Sequence, residues 1–358
     1  FVRFSLSGGA AMLSFLDKCG IDTCMSSVKL NFIQNLTYED IYNKLIISKK
    51  DYCISVFDDI AFRTSERSKI LFFIDKHKKF LMLVRDPIER LKHAINHGGY
   101  RYEYQRFNEN IDTRKPIQEE IDRSFYFFDN KNCNFYEYVK GCITYPTYNY
   151  KKIIIPILDS NKFLYLDMKE IMPNKAFETM LELSKILNFN PPKLKDKDFF
   201  QGIKNGDYRF HIPVSLCFYK NEKVFFKVFV YLKSNEDKNL ININDKLIIC
   251  KHKLLQDLVF QINKEDLYKL DGHYRHIVFH YQLKFLKILN ERVGYIHKRK
   301  LTTKDVLLYL SQNSELRSML KHILDEELSH IKYYRPDIVA SWKYYQEFEK
   351  ICEELDNN

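Results

Sequence analysis

Over the first 210 positions, apolar residues alternate between short continuous runs and helical spacing. Phe1 to Leu6 reads as a short strand that enters the small-residue loop Ser7-Gly8-Gly9-Ala10-Ala11. An apolar-periodic helix follows from Met12 to Cys19, and Gly20 stops it. A helix is predicted over 38–48, a strand from Tyr52 to Phe57 and another helix from Arg63 to Lys76. Lys79 to Val84 is a nearly continuous apolar run, the mark of a strand buried on both faces of a parallel sheet. Pro87 suits the first turn of a helix reaching about Asn96, which Gly98-Gly99 stops. Helical pieces are expected within 100–150, and strands over Lys152–Leu158 and Phe163–Leu166. Apolar spacing then predicts a helix from about Lys175 to Leu187, ended by Asn190-Pro191-Pro192.

Strands alternating with helices predict βαβ units and a parallel sheet, an α/β class. After about residue 210 the rhythm changes. Val214–Phe218 and Val224–Leu232 read as an antiparallel hairpin turning at Lys220-Asn221-Glu222-Lys223. From Leu254 the chain is expected to be helical, over 264–290, 303–310, 314–330 and 336–354. The organisation predicted is a domain over 1–210 and, over 211–358, a small β element with a mostly helical module.

Composition narrows the class. Hydrophobic residues at 45% and charged residues at 29% suit a globular chain without a long disordered block. No apolar run approaches the ~18 residues of a membrane span, and no signal-peptide pattern is present. The first residue is Phe1, so a longer start is expected. With 28 Phe and 25 Tyr, an aromatic cluster is weak evidence of a binding platform. The eight cysteines are scattered without CxxC pairs, which favours reduced, buried thiols, a cytoplasmic location, and no zinc site or disulfide framework. The net charge of +10 suits an anionic partner. Without a helix-turn-helix, zinc-finger or RNP pattern, nucleic acid is not expected, whereas a nucleotide, a glycan or a peripheral membrane contact is.

Two glycine pairs hold four of the ten glycines. Ser7-Gly8-Gly9-Ala10 lies between a strand and a helix, where backbone N–H groups can cradle phosphate oxygens; a plain turn is the blander reading. Arg85 stands at the carboxyl end of a buried strand with a helix just beyond, where open parallel sheets bind ligands. The blander reading is an Arg85–Asp86 helix cap. Glu89, His93 and His97 share a helix face. Zinc binding by His93 and His97 lacks an evident third ligand, so no metal is expected. Lys204, Tyr208 and Arg209 form either a closing loop or an ordinary solvated one. His273, His276 and His280 read as a helix surface or an acceptor contact, and Glu326, Glu327 and His330 as a helix face.

The segment Leu81-Met82-Leu83-Val84-Arg85-Asp86-Pro87-Ile88-Glu89-Arg90 resembles the 3′-phosphate-binding segment of sulfotransferases. Ser7-Gly8-Gly9 resembles their 5′-phosphosulfate loop, and Phe163–Ile171 with the helix ending in Leu187-Asn188-Phe189 resembles their late strand, acidic turn and helix. Gly202 to Arg209 is a looser likeness of their final loop. This implies a sulfotransferase-like, P-loop-type sheet flanked by helices over 1–210. Two departures stand out. His93 occupies the position of the family's serine, and the loop lysine is missing, with Arg3 the nearest charge. A narrower resemblance, carried by His93–Gly99, Asp167–Glu170 and Arg335–Lys343, is to campylobacter-type capsular O-methyl phosphoramidate transferases. That implies a 3′-phosphocytidine diphosphoramidate donor used as co-substrate, with no further cofactor, and a capsular polysaccharide or sugar acceptor. Ser7, Gly8, Gly9, Ala10, Arg3 and Arg85 would hold donor phosphates, and His93 would complete the 3′-phosphate site. His97 would take the acceptor's proton, and Lys204 and Tyr208 would close over the donor. The alternatives are an adenosine-phosphosulfate (PAPS)-dependent glycan sulfotransferase and a non-catalytic glycan- or protein-binding module.

Overall fold

The computed structural model describes residues 1–3, 6–25, 43, 46–47, 53–58, 79–97, 109–124, 134–144, 162–202, 212–233, 236–247 and 257–356. The first elements are β1 (Val2–Arg3), α1 (Gly9–Lys18), β2 (Asp22–Met25), β3 (Cys53–Asp58), β4 (Phe80–Val84) and α2 (Pro87–His97). They are followed by β5 (Asn110–Asp112), α3 (Ile117–Ser124), α4 (Phe135–Thr144), β6 (Phe163–Asp167), α5 (Ala176–Leu187) and α6 (Lys197–Gln201). Next come β7 (Val214–Lys220), β8 (Lys223–Leu232), β9 (Ile241–Asn242), α7 (Asn244–Leu247), β10 (Leu258–Ile262) and α8 (Gly272–Arg299). The chain finishes with α9 (Thr303–Gln312), α10 (Ser314–Glu327), α11 (Ser329–Tyr334), α12 (Pro336–Ala340) and α13 (Lys343–Asp356). The helices expected over 38–48 and 63–76 and the strand over 152–158 fall wholly or mostly outside the described residues.

The chain divides into two compact units. One comprises Phe1–Tyr100, Asn130–Lys204 and Leu301–Asn358, the other Arg101–Asp129 and Asn205–Lys300. A single cut at 210/211 would therefore leave the helices after Leu301 outside the unit in which they pack. The reason is side-chain partnership: Asn96 of α2 exchanges two hydrogen bonds with the backbone of Leu301, at 2.8 and 2.9 Å.

The first unit is built on a parallel sheet with strand order β2-β3-β1-β4-β6. β4 is buried at every position, as its continuous apolar run predicts. Alternation along the strands divides its side chains between two faces. Leu81 and Leu83 join Leu166, Met12, Phe15, Phe177 and Met180 in a core under α1 and α5. On the other face, Tyr165 hydrogen-bonds His330 of α11. α2 packs against α4, α9 and α13. The unit is thus mixed α/β, with a small parallel sheet and a helical C-terminal region.

The second unit carries a five-stranded sheet of order β5-β7-β8-β10-β9. β7 and β8 form the expected hairpin, with Asn221 and Glu222 at φ 48° and 63° in its tight turn. Two expectations fail, one in this unit and one in the first. Residues 258–262 are a strand, β10, paired with β8 and β9, where helix was expected. Its run Leu-Val-Phe-Gln-Ile is buried throughout, and periodicity alone cannot tell such a run from a buried helical segment. The helix expected over 336–354 is two helices, α12 and α13, broken at Ser341-Trp342.

Candidate anion-binding site

β1 leads through α1 to β2, beyond β3, whereas β4 leads toward β6 on its opposite side. Neighbouring parallel strands whose chains depart in opposite directions mark the switch point where such sheets bind ligands. The turn after β1 and the residues after β4 therefore form the candidate site.

Leu6 stands at φ 67° and Gly8 at φ 86°, a tight turn in which Gly8 is the N-cap of α1. No side chain among the described residues caps this helix. The first N–H groups of an α-helix have no partner within it and carry the positive end of its dipole. Ser7 is wholly buried, and its Oγ has no hydrogen-bond partner among the described residues. Gly9 is buried and Ala10 is exposed in the first turn. Gly8 also has a packing reason: a Cβ there would lie 2.9 Å from Ile171 Cδ1 and 3.3 Å from Met168 Cγ, in the turn after β6.

Arg85 brings its guanidinium to this turn. Its Nη1 donates to the Leu6 carbonyl at 3.1 Å, and its Nη2 meets Glu89 Oε2 at 3.4 Å. The residue is 8% exposed, and its Nε is buried without a partner among the described residues. Burial pulls the Arg85 pKa down, against Glu89 and Asp86, which raise it. The half-buried Lys92 is also pulled down by burial; Glu89 raises it and Arg85 lowers it, a coupling that puts a second cation in the same electrostatic neighbourhood.

The platform beneath Arg85 is a carboxylate with four backbone donors. Asp86 Oδ1 accepts from Ile88 N at 3.0 Å and Glu89 N at 3.3 Å, capping α2. Its Oδ2 accepts from Tyr344 N at 3.0 Å and Tyr345 N at 3.3 Å, at the start of α13. Burial pushes the Asp86 pKa up while these four N–H groups hold it down. One strand over, Asp167 Oδ1 accepts from Lys169 N in a capping box with Glu170. Its Oδ2 accepts from Trp342 Nε1 at 2.7 Å. Arg335 donates to the Tyr165 carbonyl at 2.9 Å and pairs with Asp337, and Lys169 Nζ reaches the Ser341 carbonyl at 2.6 Å. The segments 6–9, 85–90, 165–171 and 335–345 thus form one connected set.

Of the residues singled out from sequence, Ser7, Gly8, Gly9 and Ala10 directly follow Leu6, the residue whose carbonyl Arg85 binds. His93 is half-buried on α2, one turn beyond Glu89, and His97 is the last residue of that helix. Arg3 ends β1, paired in register with Asp58. Lys204 and Tyr208 lie outside the described residues. Sequence reasoning missed Lys92, the Glu89 partnership and the second role of Asp86. Aspartate before proline does signal a helix cap, but nothing local signals that its other oxygen caps a helix 257 residues onward. Among the described residues no three His, Cys, Asp or Glu side chains gather as a metal site.

A family model described as "Protein of unknown function (DUF2972)" matches residues 165–355, just over half of the chain. The matched range includes Asp167, Arg335 and Trp342; Ser7 and Arg85 precede it. No curated protein matches the chain.

Proposed function

We propose that this chain, which belongs to the DUF2972 family, is a group transferase that grips a 3′-phosphorylated nucleotide donor on a sulfotransferase-like sheet. In this reading it moves a phosphoramidate group to a hydroxyl of a capsular sugar. The observation that carries the reading is the Arg85–Leu6 hydrogen bond, which ties a guanidinium to the turn leading into α1, whose N-terminus has no side-chain cap and whose buried Ser7 hydroxyl has no partner among the described residues. Guanidinium forks, helix N-terminal amides and hydroxyls together suit phosphate oxygens. Glu89 pairs with Arg85 and would yield to a phosphate.

In the proposed reaction the acceptor oxygen forms a new bond to the phosphoramidate phosphorus while the anhydride bond breaks, releasing cytidine 3′,5′-bisphosphate. The hydroxyl proton passes to His97, Ser7 and the α1 amides hold the charge that builds on the leaving 5′-phosphate, and Arg85 anchors the donor's 3′-phosphate. Loose transition states of this type depend mainly on positioning and charge stabilisation. His93 would complete the 3′-phosphate contacts, with Lys204 and Tyr208 closing over the donor.

Calorimetric titration with cytidine and adenosine 3′,5′-bisphosphates tests the reading. The cytidine compound is expected to bind, and Arg85→Ala to weaken it by roughly tenfold to hundredfold, the range for hydrogen bonds to charged groups. Because Arg85 is buried, that variant could fail to fold, so Ser7→Ala is the second probe. Removing a buried hydroxyl with no partner among the described residues should not lower stability, since its desolvation cost disappears with it, yet it should lower affinity by about fivefold. Preference for the adenosine compound would replace the phosphoramidate donor with a sulfonate one. If neither nucleotide binds or raises the melting temperature, the transferase reading is wrong.

A further inference from the structure

We infer that the exposed face of α8, in the second unit, is a docking surface for a linear anionic polysaccharide. The helix is 28 residues long and buries one stripe, Val278, Gln282, Phe285, Leu286, Leu289 and Val293. Its other side holds an unusual charge distribution. Arg275, Lys284, Lys287, Arg292, Lys298 and Arg299 stand against a single acid, Glu291. Half of the chain's formal +10 thus sits in 28 of its 358 residues.

Helix stability does not account for this. Cations near a helix C-terminus favour its dipole, which explains Lys298 and Arg299. Arg275 in the first turn opposes the dipole, and mid-helix like charges one turn apart repel. Some of the cations are used internally: Arg275 donates to the Lys246 carbonyl, Arg292 pairs with Asp122 at 3.0 Å, and Arg299 donates to Tyr295. Lys284 and Lys287 have no acidic partner among the described residues. Together with His276 and His280 they form an exposed line at positions 276, 280, 284 and 287, about 16 Å long with a step of about one helical turn.

The form of this line selects the partner. A membrane-docking helix inserts an apolar face, but on this side only Ile277 and Tyr295 are large exposed hydrophobics, at 39% and 46% exposure. Single-stranded nucleic acid is gripped by aromatic platforms between cations, and between His276 and Lys287 no Phe, Tyr or Trp is exposed. What remains is a row of point charges and imidazole donors at regular spacing. That row suits a flexible polymer with carboxylates recurring along a chain of hydroxyl-bearing rings. The inference rests on the second unit alone and does not depend on the nucleotide reading.

The test is binding of the full chain to polygalacturonate, with neutral dextran, oligo-dT and phosphatidylserine vesicles beside it. Polygalacturonate is expected to bind and dextran not to bind. The Lys284→Glu/Lys287→Glu pair should weaken polygalacturonate binding about tenfold, and raising salt from ~0.05 to ~0.3 M should weaken it further. A control pair with the same change in net charge, Lys238→Glu/Lys264→Glu, should stay within about twofold. Thermal unfolding of both pairs verifies folding. Equal loss in both pairs, no binding to polygalacturonate, or tighter binding to oligo-dT or vesicles overturns the proposal. None of these results bears on Arg85 and its nucleotide titration.

Discussion

At Gly8 two demands coincide, a left-handed φ of 86° and an approach to Ile171 that leaves no room for a Cβ. Gly20 shares only the first, at φ 80° with open space around it. Gly20→Ala should therefore cost about 1 kcal/mol, the conformational penalty alone. Gly8→Ala should cost roughly 2–4 kcal/mol, since overpacking adds to it. Equal losses in urea denaturation would mean that the contact with Ile171 imposes nothing. Gln282 makes the opposite case. It is wholly buried in the apolar stripe of α8, and neither its amide oxygen nor its nitrogen has a partner among the described residues. Gln282→Leu should stabilise the protein by about 1–3 kcal/mol, the desolvation cost of unsatisfied polar groups. A lowered melting temperature would point to an unseen partner for the amide.

At the scale of elements, Asp86 joins α2 to α13 by accepting from the first amides of both. Asp86→Ala leaves four donors unmet at two helix starts and should cost about 2–5 kcal/mol. Asp86→Asn keeps one good acceptor and should fall between wild type and alanine, as chemical denaturation would measure. α9 carries an independent box, in which Thr302 Oγ1 accepts from Asp305 N at 3.2 Å and Asp305 Oδ2 accepts from Thr302 N at 2.7 Å. Elements with strong local signals were legible in the chain. β4 announced itself by an unbroken apolar run, α2 by Asp86-Pro87, and the β7–β8 hairpin by two β-rich runs around a polar turn. Others were not. β2 and β5 are short, with no run to reveal them, and β10 is a mostly apolar run, buried throughout, that reads like a buried helix. The break between α12 and α13 comes where Trp342 turns in to Asp167, a contact 175 residues away.

For the whole molecule, charge and burial set the pH response. Asp112 and Asp337 are held below the ordinary carboxylate range by Arg114 and Arg335, Asp305 by the backbone of Thr302, and Glu315 by Tyr136. Depressed carboxylates contribute stability that is present above about pH 4 and lost as pH falls through their folded values. Burial likewise lowers His330, so its contribution declines from about pH 6.5 downward. Asp86, raised by burial, acts in the opposite sense. Burial pushes the Cys19 thiol up to about 11, so its contribution is lost as pH rises toward that value. Stability measured by denaturant titration should therefore peak near pH 7–8 and fall on both sides; a rise on acidification to pH 5 would contradict the assignment. No helix among the described residues is long and apolar enough to cross a membrane. The sequence by itself determined the α/β alternation, the buried central strand and the two backbone positions that frame the candidate anion site, because each depends on neighbours within a few residues. Only the tertiary structure decided that the last helices return to the first sheet, that Glu89 rather than Asp86 pairs with Arg85, and that one aspartate caps two helices. Those outcomes depend on which buried donors and acceptors meet across hundreds of residues, and a buried polar group records its partner only once the chain has closed around it.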